Sequence, residues 1–132
     1  MMDTEDKFLI TEVMAKYAAA IDGKDFELFS TCFQQNVEVL RNGDNTTAIK
    51  GLDDWISYVK ESVGKCKFTH HLLSIPLIKK DGQLAKVRTN FKLFTRYIEP
   101  EGEIADFFGF YETKMIKEID QWKITQHNLN FF

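Results

Sequence analysis

The hydrophobic period changes once along this chain, and that change constrains the fold more than any other feature. In the first half, apolar residues recur at helical spacing. Leu9, Val13, Tyr17 and Ile21 lie four apart, one stripe down one face of a helix. Ala18, Ala19 and Ala20 are strong helix formers, Thr4 or Asp3 can cap the start, and Glu5 and Asp6 suit its positive end. Gly23 is a natural stop. Asp25 can cap a second, short helix running through Phe33, with Leu28, Phe29, Cys32 and Phe33 as its apolar face. Val37 to Leu40 reads as a strand ended by Asn42-Gly43, a hairpin-type turn. Asp53 or Asp54 opens a third helix that buries Trp55, Ile56, Val59 and Val63 and ends at Gly64.

From Phe68 onward the period is two. His71, Leu73, Ile75 and Leu77 alternate with His70, Leu72, Ser74 and Pro76. After the Asp81-Gly82 turn, Ala85, Val87, Thr89, Phe91 and Leu93 face one way, and Lys86, Arg88, Asn90 and Lys92 the other. Pro100-Glu101-Gly102 turns the chain again. Phe107 to Ile119 and Trp122 to Phe132 supply two more strands. Helices followed by hairpins predict an α+β fold with an antiparallel sheet. A long twisted sheet curled over helices leaves a concave pocket.

The chain has 132 residues, the size of one domain. Its net charge is −3, and Lys79-Lys80 is the only basic dipeptide, which argues against a nucleic-acid partner. No apolar run is long enough for a membrane span. Cys32 and Cys66 belong to no CxxC, and three His make no zinc pattern, so no metal and no cofactor are expected. The acidic start, Met1 to Asp6, lacks the basic-then-apolar order of a secretory signal. The expected location is cytoplasmic. Twelve Phe are more flat apolar surface than a minimal core demands. They predict a lined cavity for a small hydrophobic molecule, and a homodimer that covers the open sheet face.

The run Lys16 to Asp25 contains Tyr17, four residues, then Asp22-Gly23, followed by a short helix with Phe33 near its end. Later come Gly51, Thr69-His70-His71 before Ile75-Pro76, Asp81-Gly82 before Ala85, Gly109-Phe110-Tyr111, and Trp122-Lys123-Ile124. In this order and spacing they resemble the SnoaL-like family of the nuclear transport factor 2-like superfamily, across residues 1–132 as a single domain. The resemblance implies a cone-shaped, curved sheet wrapped around three N-terminal helices. The helix-one motif is similar to that of bile acid 7-alpha-dehydratase and, in part, scytalone dehydratase. It makes Tyr17, Asp22 and His71 the matches of pocket residues in those enzymes. The dehydratase's second pocket aspartate falls here at about Leu93, and its last-strand arginine at His127 or Phe131. The general-base aspartate of the ketosteroid isomerases falls near Arg41.

Each candidate has a structural reading beside its functional one. Tyr17 either packs in the core or donates a proton from a phenol that is neutral at pH 7. His71 is either a satisfied core histidine or the proton-transfer base. It is favoured over His70 because Leu73 and Ile75 continue its face. Asp22 lies about 140° around the helix from Tyr17. It either ends a helix or holds His71 in one tautomer. Trp55, Phe91, Leu93, Phe107 and His127 are candidate substrate-binding residues, and Phe110, Phe131 and Phe132 further possible lining. Core packing or subunit contact is the alternative for the aromatic residues.

Three functional readings follow. One is a small, cofactor-independent lyase or isomerase, dehydratase- or cyclase-like, acting on a hydrophobic oxygenated molecule. Another is a non-catalytic binding or assembly domain. A structural subunit, like the small subunits of ring-hydroxylating dioxygenases, ranks last.

Overall fold

The computed structural model describes residues 4–132, apart from the side chains of residues 45 and 47. Three helices, α1 (Thr4–Asp22), α2 (Phe26–Ser30) and α3 (Leu52–Gly64), pack on a curved sheet. Its strands are β1 (Phe33–Arg41), β2 (Asp44–Lys50), β3 (Cys66–Leu73), β4 (Leu77–Asp81), β5 (Leu84–Tyr97), β6 (Ile104–Glu118) and β7 (Gln121–Phe131). The strand order is β2-β1-β7-β6-β5-β3, with β4 also paired to β5.

The i+4 stripe of α1 becomes the floor of the core. Ile10, Val13, Met14, Tyr17 and Ile21 are all buried, against Phe29, Phe33, Trp55, Val59 and the inner sheet residues Val87, Phe91, Tyr111, Met115 and Ile124. The chain turns at Lys24 (φ 54°), one residue past Gly23. A cap at Asp3 lies outside the described residues. Asp6 does more than suit a helix dipole: it is buried, accepts a bond from Trp122 Nε1 at 3.0 Å, and pairs with Lys117 and Lys80 at 3.0 and 3.5 Å. It thereby ties the start of α1 to the sheet.

Four local readings change. The second helix stops at Ser30, and Phe33 already opens β1. Asp25 does cap that helix, accepting from Leu28 N at 3.0 Å. The third helix starts one residue earlier, at Leu52, with Gly51 (φ 94°) as its N-cap. Residues 44–50 form a strand that the polar Asn45-Thr46-Thr47 run conceals in the sequence. The expected strand through Ile75 is broken into β3 and β4. Pro76 has no N–H for a ladder, and the Ser74 hydroxyl takes the bond from Asn90 N at 3.0 Å. Ile75 is consequently 91% exposed rather than inward.

The β1–β7 seam is parallel, so the sheet is mixed rather than wholly antiparallel. Nearly the whole sheet intervenes in sequence between these strands, and a hairpin cannot join them. Gly109 lets β6 and β7 approach closely where the sheet curls: a Cβ there would stand 1.9 Å from Asn130 O. No helix among the described residues is long and apolar enough to cross a membrane.

Candidate functional site

The curl of the sheet forms a half-open cavity of about 270 Å³. Its walls come from α1, α3 and the inner faces of β1, β3, β5, β6 and β7. Alternation along paired strands supplies the β3–β5 side. Thr69 stands opposite Thr95, His71 opposite Leu93, and Leu73 opposite Phe91. The first two pairs and Phe91 line the cavity.

His71 is held by a carboxylate. Asp22 ends α1 and reaches across to β3, where Oδ1 meets His71 Nδ1 at 2.7 Å. Asp22 Oδ2 accepts the His71 backbone N–H at 2.7 Å, and the Thr69 hydroxyl donates to Oδ1 at 2.9 Å. Burial works to raise the Asp22 pKa, but the bonds from His71 and Thr69 outweigh it and hold the acid below its ordinary range. An ionised Asp22 accepts only, so neutral His71 carries its proton on Nδ1 and presents a bare Nε2. The His71 side chain is 6% exposed, against 64% for His70.

Tyr17 is buried among aromatic rings. His71 lies 6.3 Å away, Tyr111 5.5 Å and His127 4.8 Å, centroid to centroid and all edge-on. Burial, reinforced by Tyr111, pushes its phenol well above the ordinary value. Tyr111 is raised by burial, while hydrogen bonding with Tyr17 pulls the other way. Both phenols stay protonated at neutral pH and stand edge to face on the cavity wall.

The structure brings Tyr17, His71, Trp55, Phe91, Leu93 and Phe107 onto one cavity, with Asp22 behind His71. His127 is not among them. It is fully buried behind Tyr17 and Tyr111, with Nδ1 2.9 Å from the Thr113 hydroxyl. Burial, then the charge of His71, push its pKa down to about 3. It is a neutral core histidine and not a wall residue. Phe131 lines the cavity, but Phe110 is on the opposite face under Arg88, 3.9 Å from the guanidinium. Phe132 is 89% exposed.

Sequence reasoning did not single out Tyr111 or Arg41 as site residues. Tyr111 was findable, because Phe107, Gly109 and Tyr111 share one parity on β6. Arg41 was not, since nothing local aims the end of β1 at the cavity. Among the described residues no group of three or more His, Cys, Asp or Glu is placed to hold a metal ion. Cys66 lines the cavity. Cys32 is buried as a free thiol, and burial pushes its pKa up to about 11.

No curated protein matches the chain. Solved structures do. A protein from Novosphingobium aromaticivorans provisionally named a scytalone dehydratase superposes with a TM-score of 0.87 at 21% identity, covering 96% of this chain and 84% of that one. One from Streptomyces avermitilis, provisionally named a dehydratase of the NTF2-like family, gives 0.86 at 13% identity over 98% and 99%. A hexachlorocyclohexane dehydrochlorinase gives 0.82 at 10% identity over 93% and 82%. At these identities the likeness shows a shared fold. The sequence pattern of the SnoaL-like domain matches residues 2–128, and with the fold it shares with NTF2-like proteins this chain belongs to the SnoaL-like domain family.

Proposed function

We propose that this protein is a cofactor-independent lyase or isomerase whose base is His71, acting on a hydrophobic oxygenated molecule. The observation that carries the reading is the Asp22–His71 pair on an apolar cavity wall. With Nδ1 held by Asp22, Nε2 takes a proton from the substrate, and the imidazolium that forms is stabilised by the carboxylate. Tyr17 and Tyr111 donate to the oxygen on which negative charge builds. His71 then returns its proton, to carbon in an isomerisation or to the departing oxygen in a dehydration. One base, one donor and an apolar cavity suffice for either.

Cyclic ketones, hydroxysteroids and aromatic polyketides are the compounds to screen, with product read by mass spectrometry. His71→Ala is expected to abolish turnover while leaving the melting temperature within a few degrees of wild type. Unchanged turnover would remove His71 from the mechanism. A second reading, a binding domain without chemistry, is favoured by Leu93, which lines the cavity where the dehydratase resemblance places a second aspartate. Thermal stabilisation by a compound that yields no product would support it. We further propose that two copies pair through the outer sheet face, where Phe68, Ile104 and Phe108 are about half exposed. Light scattering at the single-chain mass would refute the pairing.

A further inference from the structure

We infer that one side of the cavity is an anion-binding subsite, in which the Arg41 guanidinium and the Trp55 indole N–H receive a carboxylate carried by an otherwise flat, apolar ligand. The inference rests on reading the cavity as a ligand pocket, and it names the class of molecule that fits.

Among the described residues of the cavity wall, only Arg41 and His71 have a cationic form, and the rest are aromatic, aliphatic or neutral polar. His71 is already matched by Asp22. Arg41 has no carboxylate within ion-pair distance among the described residues. The Asp44 carboxylate, facing it across the β1–β2 hairpin, accepts from the Thr46 backbone N–H and hydroxyl at 2.8 and 2.7 Å. The guanidinium instead lies 4.5 Å over the Phe131 ring. That contact orients the planar cation and leaves its N–H edges available.

The base of this arm is fixed. Arg41 ends β1, and the following turn is tied to β7 by Asn42 N to Leu129 O at 2.8 Å, Gly43 N to Asn128 Oδ1 at 2.9 Å and Phe131 N to Asn42 Oδ1 at 2.9 Å. A cation set on a rigid turn loses less entropy on binding than one on a loose loop.

Trp55 supplies the independent second observation. It is 2% exposed, and its Nε1 is buried with no hydrogen-bond partner among the described residues. A buried donor without an acceptor costs about 1–3 kcal/mol, so a ligand oxygen here satisfies a group that the fold leaves unmet. Arg41 and Trp55, with Tyr58 and Leu129, also line an adjoining cavity of about 250 Å³. Both residues therefore border the place where the two cavities meet. Arg41 comes from β1 and His71 from β3, toward opposite edges of the sheet. The proposed subsite and the proposed base are thus carried by different strands of the cavity wall.

The test uses 2-naphthoate and 2-naphthamide, which share shape and differ in charge. Their binding to the full chain is measured by isothermal titration calorimetry at pH 7 and low salt. Wild type is expected to bind naphthoate about tenfold tighter than naphthamide, the size of one good charged contact. Arg41→Gln is expected to lose that preference while its naphthamide affinity changes by less than about twofold. Equal wild-type affinity for the two probes overturns the subsite and leaves the cavity reading intact, as does a preference that survives in Arg41→Gln. If neither probe binds wild type, both the subsite and the pocket reading fail. The wild-type comparison decides the matter even if the variant does not fold.

Discussion

Asp22 grips His71 twice, accepting its backbone N–H and its ring Nδ1–H, both at 2.7 Å. The first contact fixes where β3 lies against the end of α1. The second fixes which ring nitrogen carries the proton. A single carboxylate thus joins the fold to the proposed chemistry, and Asp22 is both the polar helix end and the partner of the base.

Asp22→Asn separates these two roles. The amide still accepts the backbone N–H but no longer imposes the Nδ1–H tautomer. Nitrogen NMR of neutral His71 is expected to show the proton on Nδ1 in wild type and a mixed or reversed tautomer in the variant. Turnover, once a substrate is known, should fall about 10–100-fold, the scale for losing a carboxylate behind a histidine. A wild-type spectrum with the proton on Nε2 would contradict the proposed base.

His127 makes stability fall on acidification. Its pKa is about 3 in the fold against an ordinary 6.5, so between these values the unfolded chain binds a proton that the native state refuses. Stability is full above pH 6.5 and declines below it, by up to about 1.4 kcal/mol per pH unit. Urea denaturation from pH 7 to pH 4.5 should show this slope. His127→Gln should remove it, even if the variant is less stable overall. A slope unchanged in the variant would assign the proton elsewhere.

Asp6 acts in a lower window. The Trp122 indole bond and then, against the cost of burial, the Lys117 and Lys80 charges hold it below the ordinary 3.8. Its contribution is present above that value and is lost as pH falls through the lowered native one. At pH 7, Asp6→Ala should cost about 2–3 kcal/mol, because the Trp122 N–H loses its acceptor and two lysines lose a carboxylate. Asp6→Asn keeps an acceptor and should cost less. Equal losses in the two variants, by denaturant titration, would show that the charges matter little.

Gly109→Ala should unfold the protein or cost more than about 3 kcal/mol, beyond ordinary overpacking. The added methyl group meets backbone at Asn130, which cannot rotate aside, and also presses on the Phe91 ring at 3.0 Å. Thermal unfolding by circular dichroism measures it. A melting temperature within a few degrees of wild type would mean that the β6–β7 crossing has slack.

Local periodicity was enough to place α1, α3, β5, β6 and β7, and, for α1, α3 and β5, to say which side chains turn inward. The stripe from Leu9 to Ile21 and the alternation from Ala85 to Leu93 each encode a face, because 3.6- and 2-residue periods fix side-chain direction within one element. His71 was separated from His70 in the same way. Ile75 does not extend that face, because Pro76 breaks the strand there.

Which faces meet was decided only in three dimensions. The parallel β1–β7 seam brings Arg41 over Phe131, and the crossing of β6 and β7 at Gly109 seats Tyr111 against Tyr17 and His127. Asp22 finds His71 although the helix alone turns it away from Tyr17, because His71 reaches from another strand to a place between them. A period along the chain is a short-range property and carries no information about strand order. Polar partners 47 or 49 residues apart, as Thr69 and His71 are from Asp22, exist only once the sheet has closed over the helices.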